Sequence, residues 1–186
     1  MRAGTVPRPG LVNRLRAANG QRLVTLVAPA GYGKTTLLSQ WAERDGRRFA
    51  WVALDGGDDA STLFECVIAA LTDSIDADEA KRPDRRSRGS GASRLSSLLT
   101  SLAEPVVLVV DDVQAVRSSS AAAVLATLIL HMPSGSTLVL SGRELPELPI
   151  ARLRADREVF EVGVEDLALG RRDAQLLLRG VQPELE

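Results

Sequence analysis

The stretch Ala28-Pro29-Ala30-Gly31-Tyr32-Gly33-Lys34-Thr35-Thr36 decides the fold of this chain. It follows an apolar run, Leu23–Ala28, and leads into an amphipathic stretch, Lys34–Arg44, which predicts a strand, a glycine-rich turn and a helix. Gly31 and Gly33 let the backbone fold so that its N–H groups point at an anion, and the positive end of the following helix attracts the same charge. The pattern is a Walker A motif with Ala28 in place of the usual first glycine, and it predicts a phosphate-binding loop.

The loop predicts a site for ATP or ADP with Mg²⁺. We expect Lys34 to reach the β- and γ-phosphates as a catalytic cation and the Thr35 hydroxyl to ligate the metal. The alternative, a glycine-rich turn with an incidental lysine, is disfavoured by the flanking strand and helix. The residues predicted to bind the nucleotide here are Pro29, Ala30, Gly31, Tyr32, Gly33, Lys34, Thr35 and Thr36.

A second apolar run, Val106–Val110, ends in two acidic residues, Asp111 and Asp112. A buried strand of a parallel sheet delivers such residues to the sheet edge where ligands bind, as in a Walker B element. We predict that Asp111 holds Mg²⁺ and that Asp112 orients or deprotonates the attacking water. The alternative is that one aspartate only caps the next helix.

A third run, Thr137–Leu140, is followed by Ser141-Gly142-Arg143. In P-loop ATPases with an additional strand, a polar residue at this position contacts the γ-phosphate, and Arg143 is the predicted catalytic residue. The alternative is an ordinary surface arginine.

Apolar runs of strand length alternate with helical patterns along the chain, which predicts an α/β fold: a parallel sheet covered by helices on both faces. The five predicted strands are Leu23–Ala28, Phe49–Leu54, Val106–Val110, Thr137–Leu140 and Glu158–Val162. The predicted helices are Lys34–Arg44, Ser61–Ile75, Ala121–Leu130 and Ala174–Leu178.

Composition excludes several other functions. The net charge of −1 gives no sign of electrostatic attraction to nucleic acid or anionic lipid. The chain has one cysteine, Cys66, so it cannot form an internal disulfide. It has one histidine, His131, which is too few for a histidine-based metal site and argues against a histidine-dependent triad. The absence of a run of ~20 apolar residues predicts no membrane contact, and the polar start of the chain makes the cytoplasm the expected location.

The segment 76–93 is charged and then rich in glycine and serine, which predicts a mobile loop rather than a nucleic-acid contact by its arginines. We therefore expect a P-loop nucleotide-binding domain over residues 1–165 that contains this loop. Residues 166–186 are expected to begin a helical extension.

These motifs together resemble the nucleotide-binding domain of the large ATP-dependent LuxR-type transcriptional regulators, relatives of the maltose-regulon activator within the STAND class of P-loop ATPases. The resemblance covers residues 7 to 180. Its most specific strings are APAGYGKTT at 28–36 and Ala151-Arg152-Leu153-Arg154. It also rests on Pro9–Leu15, Trp41-Ala42, Ala50–Asp55, Asp58 and Asp59, Val110–Gln114 and Ser141–Arg143.

The resemblance implies an additional-strand, three-layer sandwich with a five-stranded parallel sheet, in which the strand before Arg143 lies between the Walker A and Walker B strands. It also implies that Leu11, Val12 and Arg14 contact the adenine base. Asn13 stands where related classes often have glycine, and Ser141-Gly142-Arg143 stands where Thr-Ser-Arg is more usual. Members of the family continue into a winged helix, a helical repeat and a DNA-binding helix-turn-helix. We therefore expect the chain to be a fragment or a truncated form.

The resemblance predicts a switch: ADP holds the regulator at rest, and ATP with an inducer lets the full-length form self-associate, with slow Mg²⁺-dependent hydrolysis. DNA contact is expected only through the C-terminal domain outside this chain. Arg152 and Arg154 are candidate contacts to a neighbouring protomer's nucleotide, the alternative being surface pairs with Asp156 or Glu158. The competing functions are a stand-alone P-loop ATPase or small-molecule kinase, and a nucleotide-binding module without turnover.

Overall fold

The computed structural model describes residues 5–56, 59–74 and 91–170. Its strands are β1 (Leu23–Val27), β2 (Arg48–Ala53), β3 (Val106–Asp111), β4 (Thr137–Gly142) and β5 (Val159–Val162). Its α-helices are α1 (Pro9–Ala17), α2 (Lys34–Ala42), α3 (Ala60–Ser74), α4 (Gly91–Ser101), α5 (Ser119–His131), α6 (Ala151–Ala155) and α7 (Val164–Leu167). A short 3-10 turn, Val113–Ala115, follows β3.

The five strands form one parallel sheet in the order β2-β3-β4-β1-β5. Leu23 of β1 lies opposite Leu138 of β4 and Val159 of β5. The α/β class and the parallel sheet are confirmed, and β4 lies between β1 and β3 as the family resemblance implied. The carboxyl ends of β1, β3 and β4 therefore meet at one edge, where an α/β sheet binds its ligands.

Two apolar clusters, one on each face of the sheet, make the fold a three-layer sandwich. Alternate residues of the central strands point to opposite faces: Leu108 and Leu140 pack with α3, α4 and α5, whereas Val109 and Val139 pack with α1 and α2. Every residue of β3 and β4 is buried, as expected for central strands of a parallel sheet.

One predicted boundary is wrong. Helix α4 begins at Gly91, inside the last three residues of the predicted loop 76–93. The helix forms because Leu95, Leu98 and Leu99 bury a common face against the core, which outweighs the low helix propensity of its glycine and serines. The rest of that loop and the predicted helix Ala174–Leu178 lie outside the described residues, and the division at residue 165 stays a prediction.

Three further helices, α1, α6 and α7, were not predicted as elements from the apolar pattern. Helix α1 begins with Pro9 in its first turn, a position where the missing N–H costs nothing, and buries Leu11, Val12 and Leu15. In the described ranges no helix combines the length and apolar character needed to cross a bilayer.

Candidate functional site

The loop between β1 and α2 has the backbone geometry that its two glycines predict. Gly31 has φ 84° and Gly33 has φ 78°, both in the left-handed region that other residues rarely adopt. No atom lies within 4 Å of a Cβ built at either position, so the requirement for glycine there is conformational and not one of space. Gly33 is the N-cap of α2, and the loop thus turns its backbone toward the positive end of that helix.

Lys34 lies in the curve of this loop and is only 8% exposed. Its Nζ donates to the carbonyl oxygens of Ala28 (2.8 Å) and Pro29 (3.1 Å). An ammonium group has three N–H donors, so one remains for a further acceptor such as a phosphate oxygen. The loop therefore holds a nearly buried positive charge where the motif predicts the phosphates.

Thr35 and Asp111 join the start of α2 to the end of β3. The Thr35 Oγ1 donates to the Asp111 Oδ2 at 2.9 Å, and the Asp111 carboxylate is 7% exposed. A hydroxyl and a carboxylate in contact supply oxygen ligands of the kind that Mg²⁺ takes in nucleotide sites. The two predicted metal ligands are thus brought together, and their chemistry fits the ion.

Asp112 lies beside them but has different surroundings. Its backbone is left-handed, with φ 59°, and its exposed carboxylate accepts a hydrogen bond from Gln114 Nε2 at 2.8 Å. Gln114 Oε1 in turn accepts from the backbone N–H of Arg143 at 2.9 Å. The Arg143 side chain is exposed, so it is the backbone of this residue that the structure ties to the acidic end of β3.

Gln114 and Ser141 lie at the same end of the sheet, although no role was predicted for either from the sequence. Ser141 is fully buried at the end of β4, on the face that it shares with Val139, and its Oγ has no hydrogen-bond partner within the described part of the chain. Asp111 is on the same face of β3 as Val109, so the Ser141 hydroxyl faces the side of the sheet that carries the phosphate loop. Alternate residues of a strand lie on one face of the sheet, so the spacing of Ser141 from Val139 could have predicted the side to which its hydroxyl points.

A cavity of about 500 Å³ adjoins the loop. Its lining residues are Thr5, Val6, Arg8, Gly31, Tyr32, Gly33, Thr36, Leu37, Leu167, Ala168 and Leu169. The wall opposite the loop is held in place by hydrogen bonds: Gln40 Nε2 donates to the Val6 carbonyl (2.9 Å), and the Arg8 guanidinium donates to the carbonyls of Asp166 (3.1 Å) and Leu167. A mostly apolar cavity beside a phosphate loop has the character of a base-binding pocket.

The three residues predicted to contact adenine do not line this cavity. Leu11 and Val12 are buried in the core beneath it, because they lie on the inward face of α1. Arg14 contacts Asp166 at 2.7 Å and lies over the Phe160 ring, and its hydrogen bond lowers the pKa of the Asp166 carboxyl. Among the described residues before α1, it is Thr5, Val6 and Arg8 that line the cavity.

The two arginines of α6 lie on the surface and have acidic neighbours. The Arg152 side chain is 92% exposed, with its Nε 3.6 Å from Asp156 Oδ2. Arg154 contacts Glu161 at 2.7 Å rather than Glu158. Surface pairs of this kind contribute little to stability and leave Arg152 accessible.

Comparison with known proteins agrees with this geometry. The model of the AAA ATPase domain family matches residues 10–140. Two proteins named HTH-type transcriptional regulator MalT, from two strains of Klebsiella pneumoniae, are each 36% identical over 179 residues. The alignments cover 92% of this chain and 20% of each relative, so the chain spans about a fifth of the length of these regulators.

Solved structures share the fold. A signal transduction ATPase with numerous domains (STAND) and a tetratricopeptide repeat sensor, from Pyrococcus horikoshii, has a TM-score of 0.61 and 16% identity over 98% of this chain and 26% of its own. Cdc6p from Pyrobaculum aerophilum has a TM-score of 0.55 and 19% identity over 84% of this chain and 46% of its own. The sequence matches, the fold and the phosphate loop agree with one another, and they confirm the resemblance that the motifs indicated. The chain therefore belongs to the AAA ATPase domain family, as a P-loop ATPase domain similar to the part of MalT that it matches.

Proposed function

We propose that this chain is the ATP- and ADP-binding switch domain of a LuxR-type transcriptional regulator, and that it hydrolyses ATP slowly with Mg²⁺. The observation that carries the nucleotide site is the contact between Thr35 and Asp111 beside the loop that holds Lys34. The identity to proteins named as transcriptional regulators supports the regulatory role.

The residues of the site have separate roles in this proposal. Lys34 and the loop N–H groups bind the phosphates, and Thr35 with Asp111 would hold Mg²⁺, which neutralises phosphate charge when it is bound with the nucleotide. Asp112 orients the water that attacks the γ-phosphate. Arg143 is the proposed contact to the γ-phosphate, and its exposure leaves the side chain able to reach a ligand.

Slow hydrolysis follows from the exposure of the catalytic edge. Asp112 and Arg143 are both exposed, whereas electrostatic stabilisation of phosphoryl transfer is strongest in a site from which water is excluded. We propose that parts of the full-length regulator beyond this chain close the site, and that self-association and DNA binding also use those parts. The accessible Arg152 is a proposed contact to a second protomer.

The experiment begins with the identity of the nucleotide that co-purifies with the chain, determined by mass spectrometry after denaturation. ATP turnover is then measured over a wide range of protein concentration. We expect Asp112→Asn to spare ATP binding and to reduce turnover about a hundred-fold or more, the contribution of a general base. Asp111→Asn should instead weaken the Mg²⁺ dependence of binding. Glu104→Gln, which removes an acid before the opposite end of β3, is the control and should change neither.

Each competing function gives a different result. Turnover that requires an added small-molecule acceptor would favour a kinase, and binding without turnover would favour an interaction module. Identical behaviour of the Asp111 and Asp112 variants in both assays would contradict the assigned roles.

A further inference from the structure

The Gln114 side chain spans two strand ends. Its amide donates from Nε2 to Asp112 Oδ1 at 2.8 Å and accepts at Oε1 from the Arg143 N–H at 2.9 Å. A carboxylate can only accept and a backbone N–H can only donate, so a single orientation of the amide satisfies both partners. The side chain therefore connects the acidic end of β3 to the turn after β4 by a directional pair of hydrogen bonds.

Asp112 needs such a support because its backbone is strained and its side chain is exposed. A non-glycine residue with φ 59° has a strained and sparsely populated backbone conformation, and such residues are concentrated at functional sites. An exposed carboxylate without a fixed partner samples several rotamers. The bond from Gln114 occupies Oδ1, fixes the plane of the carboxylate and leaves Oδ2 to accept from a water molecule.

Gly142 leaves the space that this amide fills. A Cβ at position 142 would lie 2.6 Å from Gln114 Oε1, 2.9 Å from Val113 Cγ2 and 3.1 Å from the Glu144 carbonyl oxygen. All three distances are shorter than ordinary contacts, and the last is to backbone. Glycine is required here by the packing of the Gln114 amide and its neighbours, which accounts for a residue that the sequence motif left unexplained.

We propose that Gln114 is a positioning residue for ATP hydrolysis: it holds Asp112 in the orientation that activates water and couples that orientation to the turn that carries Arg143. The inference rests on the proposed function. A phosphate that engages Arg143 moves the backbone to which Gln114 is bonded, and the same amide passes this movement to the Asp112 carboxylate. Gln114 itself does not contact the nucleotide in this scheme.

Two substitutions separate the two hydrogen bonds. Gln114→Met keeps the shape and removes both. Gln114→Glu keeps the acceptor for the Arg143 N–H but replaces the donor with a second carboxylate oxygen that faces Asp112. We expect kcat for ATP to fall about ten-fold in Gln114→Met, since misorientation of a catalytic group costs up to about a hundred-fold, and at least as far in Gln114→Glu. The Kd for ATP should stay within about two-fold, because phosphate binding depends on Lys34 and the loop. Gln21→Met, the same change before β1 at the opposite edge of the sheet, is the control and should leave kcat unchanged.

A second measurement is independent of turnover. Hydrogen exchange at the Arg143 amide, followed by nuclear magnetic resonance, should become about ten-fold faster in Gln114→Met, which corresponds to the loss of one hydrogen bond. Protection should persist in Gln114→Glu. Gly142→Ala should lower kcat as Gln114→Met does, and it should have a smaller effect in a Gln114→Ala background, where no amide remains to be displaced.

The outcomes distinguish this inference from the proposed function. If Asp112→Asn abolishes turnover while both Gln114 variants keep the wild-type kcat, the positioning role is overturned and the ATPase assignment stands. If kcat falls only in proportion to a fall in thermal stability, Gln114 is merely structural and the inference is again overturned. A wild-type chain that binds ATP but shows no turnover in a single-turnover assay contradicts both.

Discussion

Polar groups cluster at both ends of the parallel strands, and the two clusters differ in how completely their groups are paired. The end at which the strands begin is called the N-terminal edge of the sheet, and the end at which they finish is called the C-terminal edge. At the N-terminal edge, Asp45 and Arg47 form an ion pair of 2.9 Å with side chains 9% and 13% exposed. Asp45 also accepts from Trp41 Nε1 at 2.8 Å, and Arg47 also donates to Thr137 Oγ1 at 2.9 Å and to the Gly135 carbonyl at 3.1 Å. At the C-terminal edge, Lys34 uses two of its three N–H donors, and the buried Ser141 hydroxyl has no hydrogen-bond partner in the described part of the chain.

This difference predicts that one end of the sheet contributes stability and the other binds the ligand. The partners at the N-terminal edge are fixed and each charge is opposed by another, so the cluster holds α2, β2 and β4 together. The groups at the C-terminal edge are paired more sparsely, and a ligand can replace their present partners without leaving a buried charge uncompensated. Substitutions at the first edge should therefore change the free energy of unfolding, and substitutions at the second should change nucleotide binding.

The largest expected effect is that of Arg47→Ala. Removal of one partner leaves Asp45 partly buried and without its counter-ion, and breaking such a pair costs about 3 kcal/mol of unfolding free energy. ATP affinity, measured by calorimetry on the folded protein, should not change. The exposed Arg44 is the control, and its replacement by alanine should stay within about 0.5 kcal/mol. A large loss of affinity in Arg47→Ala would show that the two edges are not separate.

Lys34→Ala should have the reverse effect. Loss of a charge-assisted hydrogen bond of about 1.5–3 kcal/mol predicts ATP affinity lower by roughly ten- to hundred-fold in calorimetry, with little change in stability. Arg22→Ala, which removes a half-exposed cation just before the other end of β1, should bind ATP normally. Unchanged affinity in Lys34→Ala would exclude the P-loop assignment.

A smaller effect is expected from pH. Burial opposes ionisation of Asp45, but the hydrogen bonds and charge of Arg47, with a hydrogen bond from Trp41, outweigh it and lower the pKa of that carboxyl from 3.8 to about 2. Because the folded-state pKa is the lower one, this contribution is fully present above pH ~4 and is lost as the pH falls through 2. It amounts to about 2 kcal/mol. The stability difference between the wild type and Asp45→Asn, measured by urea unfolding, should therefore be large at pH 5 and much smaller near pH 2. A constant difference would show that the carboxyl is not held in this way.

The finest comparison uses two buried hydroxyls on the same face of β4. Both Thr137 and Ser141 are 0% exposed, but Thr137 Oγ1 is hydrogen-bonded to Arg47 whereas Ser141 Oγ has no partner in the described chain. Thr137→Val should lower the unfolding free energy by about 1 kcal/mol, and Ser141→Ala should raise it by a similar amount because an unpaired buried hydroxyl is removed. Denaturant unfolding of the two variants measures both signs. Destabilisation by Ser141→Ala would mean that its hydroxyl is already satisfied in the free protein.

Features that depend on residues close together in the sequence could be predicted from it. All five strands were predicted to within two residues. The signal was clearest for the central strands β3 and β4, because a strand buried on both faces is a continuous apolar run. The loop geometry followed from Gly31 and Gly33, since few residues other than glycine adopt those φ values. Local signals were sufficient for both.

Contacts between residues far apart in the sequence could not be predicted from a local pattern. Gln114 and Arg143 meet because β3 and β4 are neighbours, and the sequence near Gln114 does not show which residue of the next strand it contacts. The adenine contacts of Leu11, Val12 and Arg14 stay a prediction. Leu11, Val12 and Leu15 have the spacing of a helix face that packs on a core, and the cavity is lined by residues before that helix.

The order of the sheet has a consequence for the making of the protein. Strand β1, which carries the phosphate loop, pairs with β4 and β5, so it has no strand partner until the ribosome has passed Thr137. Pairing between distant segments is slow and leaves apolar strands exposed to other chains. The predicted phosphate loop is thus translated early, but the sheet around it is completed late. If synthesis stops before β4, the apolar strand β1 stays exposed, and chaperones can bind it or it can aggregate. Under the proposed function, nucleotide can stabilise only chains in which β4 has been made.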